Sequence, residues 1–421
     1  MTNTNQLKRQ LGLGSAILLG LGSILGTGVF VSLGLAVGVA GQSAILALAI
    51  ATGLAAMNAL SSAQLAASYP VSGGTYAYGR KYLREEMGFV AGIAFLLAKS
   101  ASAAAAAIGL VSYAAAYAGW HALPVGAIAA GLVFFITGLV FAGVRRANIV
   151  NTILVGTTLI ALVGLIISVA SHGQFFPTSV QANSDSLHFP NLLEAAALLF
   201  VAFTGYGRIA TLGEEVRRPR QTIPMAIITT ILVTGLLYFG VLISGLVVLG
   251  EVGFAIEMQE SSAPLQGIAR ALGAPTLLTL ITLAAATAMA GVLLNLVLGL
   301  SRVAFAMGRD GELPKSLGRL DESGEPRRAV LAVGIFVALM ALFGGLSMVW
   351  SFSAFAVLIY YAITNLCALQ LSPEARLYPR IIPIVGLIGC LGLSLWIRPD
   401  AMLLGIVALS AGLILRWILK R

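Results

Sequence analysis

Two glycine pairs and one lysine are the residues of this chain best suited to chemistry. Gly26-Thr27-Gly28 lies about halfway along the first long apolar run, and Gly205-Tyr206-Gly207 lies slightly past halfway along the sixth. Two glycines cost a helix roughly 2 kcal/mol relative to alanine. A break at mid-bilayer also bares amides and carbonyls, each worth several kcal/mol, so the bare groups must face a cavity or a ligand. The first break would end an inner half near Ser23 and Ile24, presenting carbonyls. It would begin an outer half whose amides at Thr27, Gly28 and Val29 form a positive dipole end. The second would end an outer half near Phe203 and Thr204, again presenting carbonyls. An amino acid zwitterion suits this pair, with its carboxylate on the amides and its ammonium on the carbonyls. Close helix packing through small residues is the rival explanation of either pair alone.

Lys99 stands near the middle of the third apolar run. A lysine there costs ~2.5–3.5 kcal/mol, so it must face the bundle or water. It could ionise reversibly and couple a proton to transport, or supply a fixed charge near a substrate carboxylate. Bonding to helix carbonyls as a stabiliser is an equally open role. Arg208 follows Gly207 where the helix dipole opposes a cation, so it needs an acceptor such as Thr204, an unwound carbonyl or the substrate. Ile24, Val201, Phe203 and Tyr206 are expected to build a mostly apolar pocket. Glu214 and Glu215 face a zone rich in arginine, including Arg80 and Arg217, and could form an inner gate of ion pairs. The lack of an acidic residue near the breaks favours neutral, apolar amino acids; Lys99 and Arg208 pull toward an anionic side chain.

These residues need helices to hold them. The chain has 421 residues, 59% hydrophobic and 10% charged, with mean hydropathy +0.97. That is material for roughly twelve spans at ~20 residues each. So few charges could not cover a soluble surface, which excludes a soluble enzyme, a nucleic-acid-binding domain and a disordered regulator. Cys367 and Cys390 fall inside apolar runs, and His121, His172 and His188 are scattered. No metal set, catalytic triad or phosphate loop is visible, and no cofactor is expected. The apolar run behind the polar first residues is too long for a signal-peptide core, so that segment reads as retained.

Apolar runs and turn signals place helices at 12–39, 43–67, 87–118, 122–143, 148–171, 191–213, 224–250, 273–307, 329–346, 348–370, 380–397 and 401–418. With the N-terminus inside, 21 of the 25 basic residues fall on cytoplasmic segments and only Arg270 and Arg398 on external ones. This asymmetry supports an even number of spans with both termini cytoplasmic in an inner membrane. Residues 1–11 then form a cytoplasmic tail, 12–171 hold helices one to five, 191–370 hold helices six to ten, and 380–421 hold two peripheral helices and a second tail. The breaks occupy corresponding positions in two five-helix halves of opposite orientation, the pattern of a secondary transporter.

At these residues the chain resembles the amino acid–polyamine–organocation (APC) superfamily of amino acid permeases. GSILGTGVF (22–30) is similar to the family's first-helix motif, and YPVSGGTYAYGRKYL (69–83) with GFVAG (88–92) to its loop between helices two and three. FVAFTGYGRIATLGEEVRRPRQTIPMAI (200–227) resembles the sixth helix and its exit, and SRVAFAMGRDGELP (301–314) the end of helix eight. The resemblance implies an all-α polytopic protein of about 12 transmembrane helices with a LeuT-like inverted five-helix repeat, broken helices 1 and 6, and alternating access. Departures concern coupling. Gly207 stands where many members carry an acid, Thr158 where proton-linked members carry a lysine, Val201 where an aromatic gate is frequent, with Phe200 and Phe203 flanking it as the gates the resemblance implies, and Thr287 is the lone hydroxyl of 284–295. A coupling proton, exchange and uniport all stay open. So do export on the same scaffold and a transport-inactive membrane sensor.

Overall fold

The computed structural model describes residues 12–70, 73–120, 122–143, 148–172, 188–210, 216, 218–322 and 324–420. Within them the chain forms sixteen α-helices: α1 (Leu13–Ile24), α2 (Leu33–Ala40), α3 (Ala44–Ser68), α4 (Thr75–Tyr82), α5 (Glu85–Ala118), α6 (Val125–Phe141), α7 (Asn148–Ser171), α8 (Phe189–Phe203), α9 (Gly207–Ala210), α10 (Pro219–Glu260), α11 (Pro264–Ala271), α12 (Pro275–Arg309), α13 (Arg327–Phe343), α14 (Leu346–Leu369), α15 (Ile381–Ser394) and α16 (Pro399–Leu419). Pro190, Pro264, Pro275 and Pro399 open their helices in the first turn, where a missing N–H costs nothing. Gly119 closes α5 in the left-handed region at φ +70.

Eight helical stretches among the described residues are long and apolar enough to cross a bilayer, the first running from Leu13 to Ser68; α6 and α15 are apolar but shorter. Gly41, at φ +54, separates α2 from α3 within the first stretch. Gly250, at φ +67, interrupts α10, at the point where the apolar pattern predicts the seventh helix to end.

Large apolar side chains cover the outside. Phe134, Phe135, Ile160, Leu236, Phe343, Leu403 and Ile414 are exposed, an arrangement that water would penalise and lipid tails accept. All-helical among the described residues, the chain is a multi-pass membrane protein. Its centre is α5, which packs on α12 and α14. Ala103, Ala104, Ala105, Ala106 and Ala107 are fully buried there, and their small side chains let the neighbouring backbones close in. On the other side α3 packs on α8 and α10.

Candidate substrate cavity

The first apolar run is interrupted where its glycines lie. α1 stops at Ile24, and Leu25 turns extended at φ −74, ψ 94. Helical geometry resumes with Phe30 N donating to Gly26 O at 3.3 Å, through a wide turn over Gly28–Ser32 that leads into α2. Ser32 Oγ donates to the Gly28 carbonyl inside that turn. The amides at 27–29 thus sit at the N-terminal end of the outer segment, where a helix offers no carbonyl of its own.

The sixth run is altered more gently. α8 ends at Phe203, a single 3₁₀ turn spans Thr204–Tyr206, and α9 follows. The chain tightens there and does not part. Thr204 Oγ1 donates to Val201 O at 2.8 Å and Tyr361 Oη to Thr204 O at 3.3 Å, so protein hydroxyls take up the carbonyls that the irregular turn frees.

The two irregular turns lie against each other. A Cβ on Gly205 would collide with the Ser23 carbonyl, so glycine is what allows this approach. A Cβ on Gly28 would lie 2.6 Å from Tyr238 Oη. That hydroxyl sits between Ile24 O at 3.1 Å and Ala202 O at 3.3 Å, joining the two breaks from α10.

A cavity of about 290 Å³ opens beside this junction. Of the residues expected from the sequence, Ser23, Ile24, Thr27, Gly28, Lys99, Val201, Thr204, Gly205, Gly207 and Arg208 line it. Thr27 Oγ1 is buried without a hydrogen-bond partner in the structure. Lys99 Nζ donates to Thr204 Oγ1 at 2.8 Å, binding α5 to the 3₁₀ turn.

Other expected residues stand behind the wall. Val29, Phe200, Phe203 and Tyr206 are fully buried, and Gly26 backs onto Val292. The Phe203 ring lies 5.2 Å from Tyr238, Phe200 5.7 Å and Tyr206 5.4 Å from Tyr361. Helical periodicity turns these aromatics into the α10 and α14 interfaces and away from the cavity. Glu214, Glu215 and Arg217 lie outside the described residues. Arg80, in their expected partner zone, pairs with Asp310 at 2.9 Å and Glu85 at 3.7 Å. Asn365 is buried away from the cavity, donating to Asn58 Oδ1 at 2.6 Å.

Sequence reasoning missed Tyr76, Asn295, Arg302 and Trp350, which also line the cavity. At one end the Trp350 indole donates to Leu198 O at 3.0 Å. Beside it Ser353 Oγ donates to Ala98 O at 2.9 Å and meets Ser102 Oγ at 2.8 Å. The other end reaches Gly73, Gly74 and Tyr76, beyond the end of α3. Tyr76 Oη donates to Asp310 at 2.7 Å and accepts from Arg80 at 2.8 Å. Burial, then the Asp310 bond, push the Tyr76 phenol well above its ordinary range, so it stays a donor. A lone tryptophan at the start of an apolar run gives no periodic signal, and only the fold brings Trp350 to Leu198.

An all-helical body with lipid-compatible flanks and two irregular helices meeting at an internal cavity is the build of a membrane transporter. Residues 15–415 match the family model described as amino acid permease, and the chain belongs to that family. It is 39% identical over 409 residues to an uncharacterized transporter of Mycobacterium tuberculosis, covering 97% of this chain and 90% of the relative. It is 28% identical over 359 residues to a branched-chain amino acid permease of Bacillus subtilis, covering 81% and 75%. A cationic amino acid transporter of Arabidopsis thaliana, chloroplastic by its description, is 27% identical over 349 residues, covering 76% and 58%. The chain is thus a transporter and not an enzyme.

Proposed function

We propose that this chain carries amino acids across the cell membrane by alternating access, binding the zwitterion between the two irregular turns. The observation that carries the reading is the packing of Gly205 on the Ser23 carbonyl beside the unpartnered Thr27 hydroxyl. In this reading the carboxylate takes the amides at 27–29 and the Thr27 hydroxyl. The ammonium takes the Ser23 carbonyl, since Tyr238 and Tyr361 serve those of Ile24, Ala202 and Thr204. Twelve spans in two inverted five-helix halves, 12–171 and 191–370, with 380–421 peripheral and both termini cytoplasmic, complete the architecture we propose.

In this reading Trp350 marks the outer end of the cavity and Tyr76 the inner one. Alternating access then requires the Trp350–Leu198 and Ser353–Ala98 bonds to part in one state and the Tyr76–Asp310 bond in the other. No aspartate or glutamate among the described residues lines the cavity, which disfavours the cationic side chains named for the Arabidopsis relative. Neutral, apolar side chains, including the branched ones named for the Bacillus relative, would lie against Ile24, Phe95, Val201 and Leu296.

Counterflow of labelled amino acids into liposomes holding the purified protein tests this. Saturable uptake that Gly205→Val abolishes is expected. Uptake unaffected by Gly205→Val would remove the binding site from this junction. Absence of flux in either direction, from empty or preloaded vesicles, would favour a transport-inactive sensor. Preloaded vesicles also distinguish exchange or export from net uptake.

A further inference from the structure

Lys99 is a charge with a task left over. It sits at mid-length in α5, lines the cavity and donates one bond, to Thr204 Oγ1 at 2.8 Å. An ammonium has three donors, and no carboxylate of the described residues pairs with it. Arg302 lines the same cavity and carries the same sign. An ammonium held in a membrane interior without a counter-charge among the described residues is expensive, and such residues mark substrate pathways. The missing negative charge is thus best supplied by what the cavity receives.

We propose that Lys99 is a specificity-determining residue that pairs with a carboxylate on the substrate's side chain, making amino acids with acidic side chains the preferred cargo. The inference rests on the cavity being the amino acid site, and within the non-cationic class it puts acidic side chains ahead of the apolar ones that Ile24, Phe95, Val201 and Leu296 would take. The α-carboxylate has its own place at the helix end by Thr27. Lys99, carried by α5 and fixed against Thr204, is a second anion-binding point on a different element. A cationic side chain meets like charge there. A neutral one leaves the ammonium dehydrated and unpaired, whereas a side-chain carboxylate restores the hydrogen bonds and cancels the charge.

The test measures initial uptake of labelled L-glutamate, L-aspartate, L-leucine and L-arginine in liposomes. Wild-type protein should prefer glutamate or aspartate over leucine by about tenfold or more and exclude arginine. Lys99→Met should lower the acidic-to-leucine ratio about tenfold. A wild type that prefers leucine overturns the proposal while leaving amino acid transport standing. So does a Lys99→Met protein that slows all substrates in equal proportion, which is what a purely structural lysine would give. Should Lys99→Met fail to insert, heat stability of the wild type in detergent decides. Stabilisation by glutamate or aspartate beyond that by leucine supports the assignment, and the reverse order refutes it. No flux of any of the four, and no stabilisation by any, would sink the transport reading and this one with it.

Discussion

Thr27 carries the sharpest demand at the scale of single residues. Its hydroxyl is buried, lines the cavity and has no partner in the structure, a state proteins tolerate where something else completes the bond. Thr27→Val keeps the shape and removes the hydroxyl. A hydrogen bond to a charged group is worth ~1.5–3 kcal/mol, so the KM of the transported amino acid should rise about tenfold or more while the purified protein melts at an unchanged temperature. An unchanged KM would show that the hydroxyl does not meet the substrate. The sequence revealed Thr27 and Lys99 because each breaks a pattern, a polar side chain amid glycines and a charge amid alanines. It did not reveal Tyr238, whose hydroxyl joins the two breaks from α10, because one tyrosine in a long apolar helix looks like packing.

At the scale of elements, the seal of α14 on α8 should set how often the cavity faces outward. Trp350→Phe removes the indole N–H that reaches Leu198 O at 3.0 Å, a bond worth about 1 kcal/mol. A cysteine at Ser102, which lines the cavity, should then react faster with a membrane-impermeant thiol reagent added outside. An unchanged rate would show that the indole does not hold that end shut. The helices themselves were readable from apolar runs and turn signals, because lipid imposes length and polarity on a span. The kind of break was less readable. Gly26 and Gly28 do part the first helix at Leu25. Gly205 and Gly207 yield a 3₁₀ turn, because Thr204 and Tyr361 satisfy the freed carbonyls, and no local pattern announces a partner 157 residues away.

For the molecule as a whole, a cluster of ion pairs ties the last helix to the rest. Arg416 in α16 reaches Glu312 at 2.5 Å and Glu86 at 3.6 Å, and Lys420 reaches Glu312 and Glu85 at 3.2 Å each. The Glu312 side chain is only 1% exposed. Burial would push its carboxyl up, but the hydrogen bonds and charges of Arg416 and Lys420 outweigh that and hold it below its ordinary 4.5. A carboxyl lowered by folding adds stability above its unfolded pKa and loses it as the pH falls through the folded one. The melting temperature of the wild type should therefore drop as pH falls below 4.5. Glu312→Gln should melt lower from the start, its stability reduced by about 3 kcal/mol for a broken buried pair, and show a shallower acid drop. Equal acid sensitivity of the two proteins would place the titrating group elsewhere. This cluster joins residues far apart in the chain, so charge counting assigned Arg416 and Lys420 a side of the membrane but not a partner.

The most direct measurement is a cryo-electron microscopy map of the protein with its transported amino acid bound. The account predicts density for the α-carboxylate within hydrogen-bond reach of the amides at 27–29 and the Thr27 hydroxyl, with the ammonium on the Ser23 carbonyl. An amino acid seated away from both irregular turns, or a first helix that runs unbroken through residues 24–29 with the substrate in place, would contradict it.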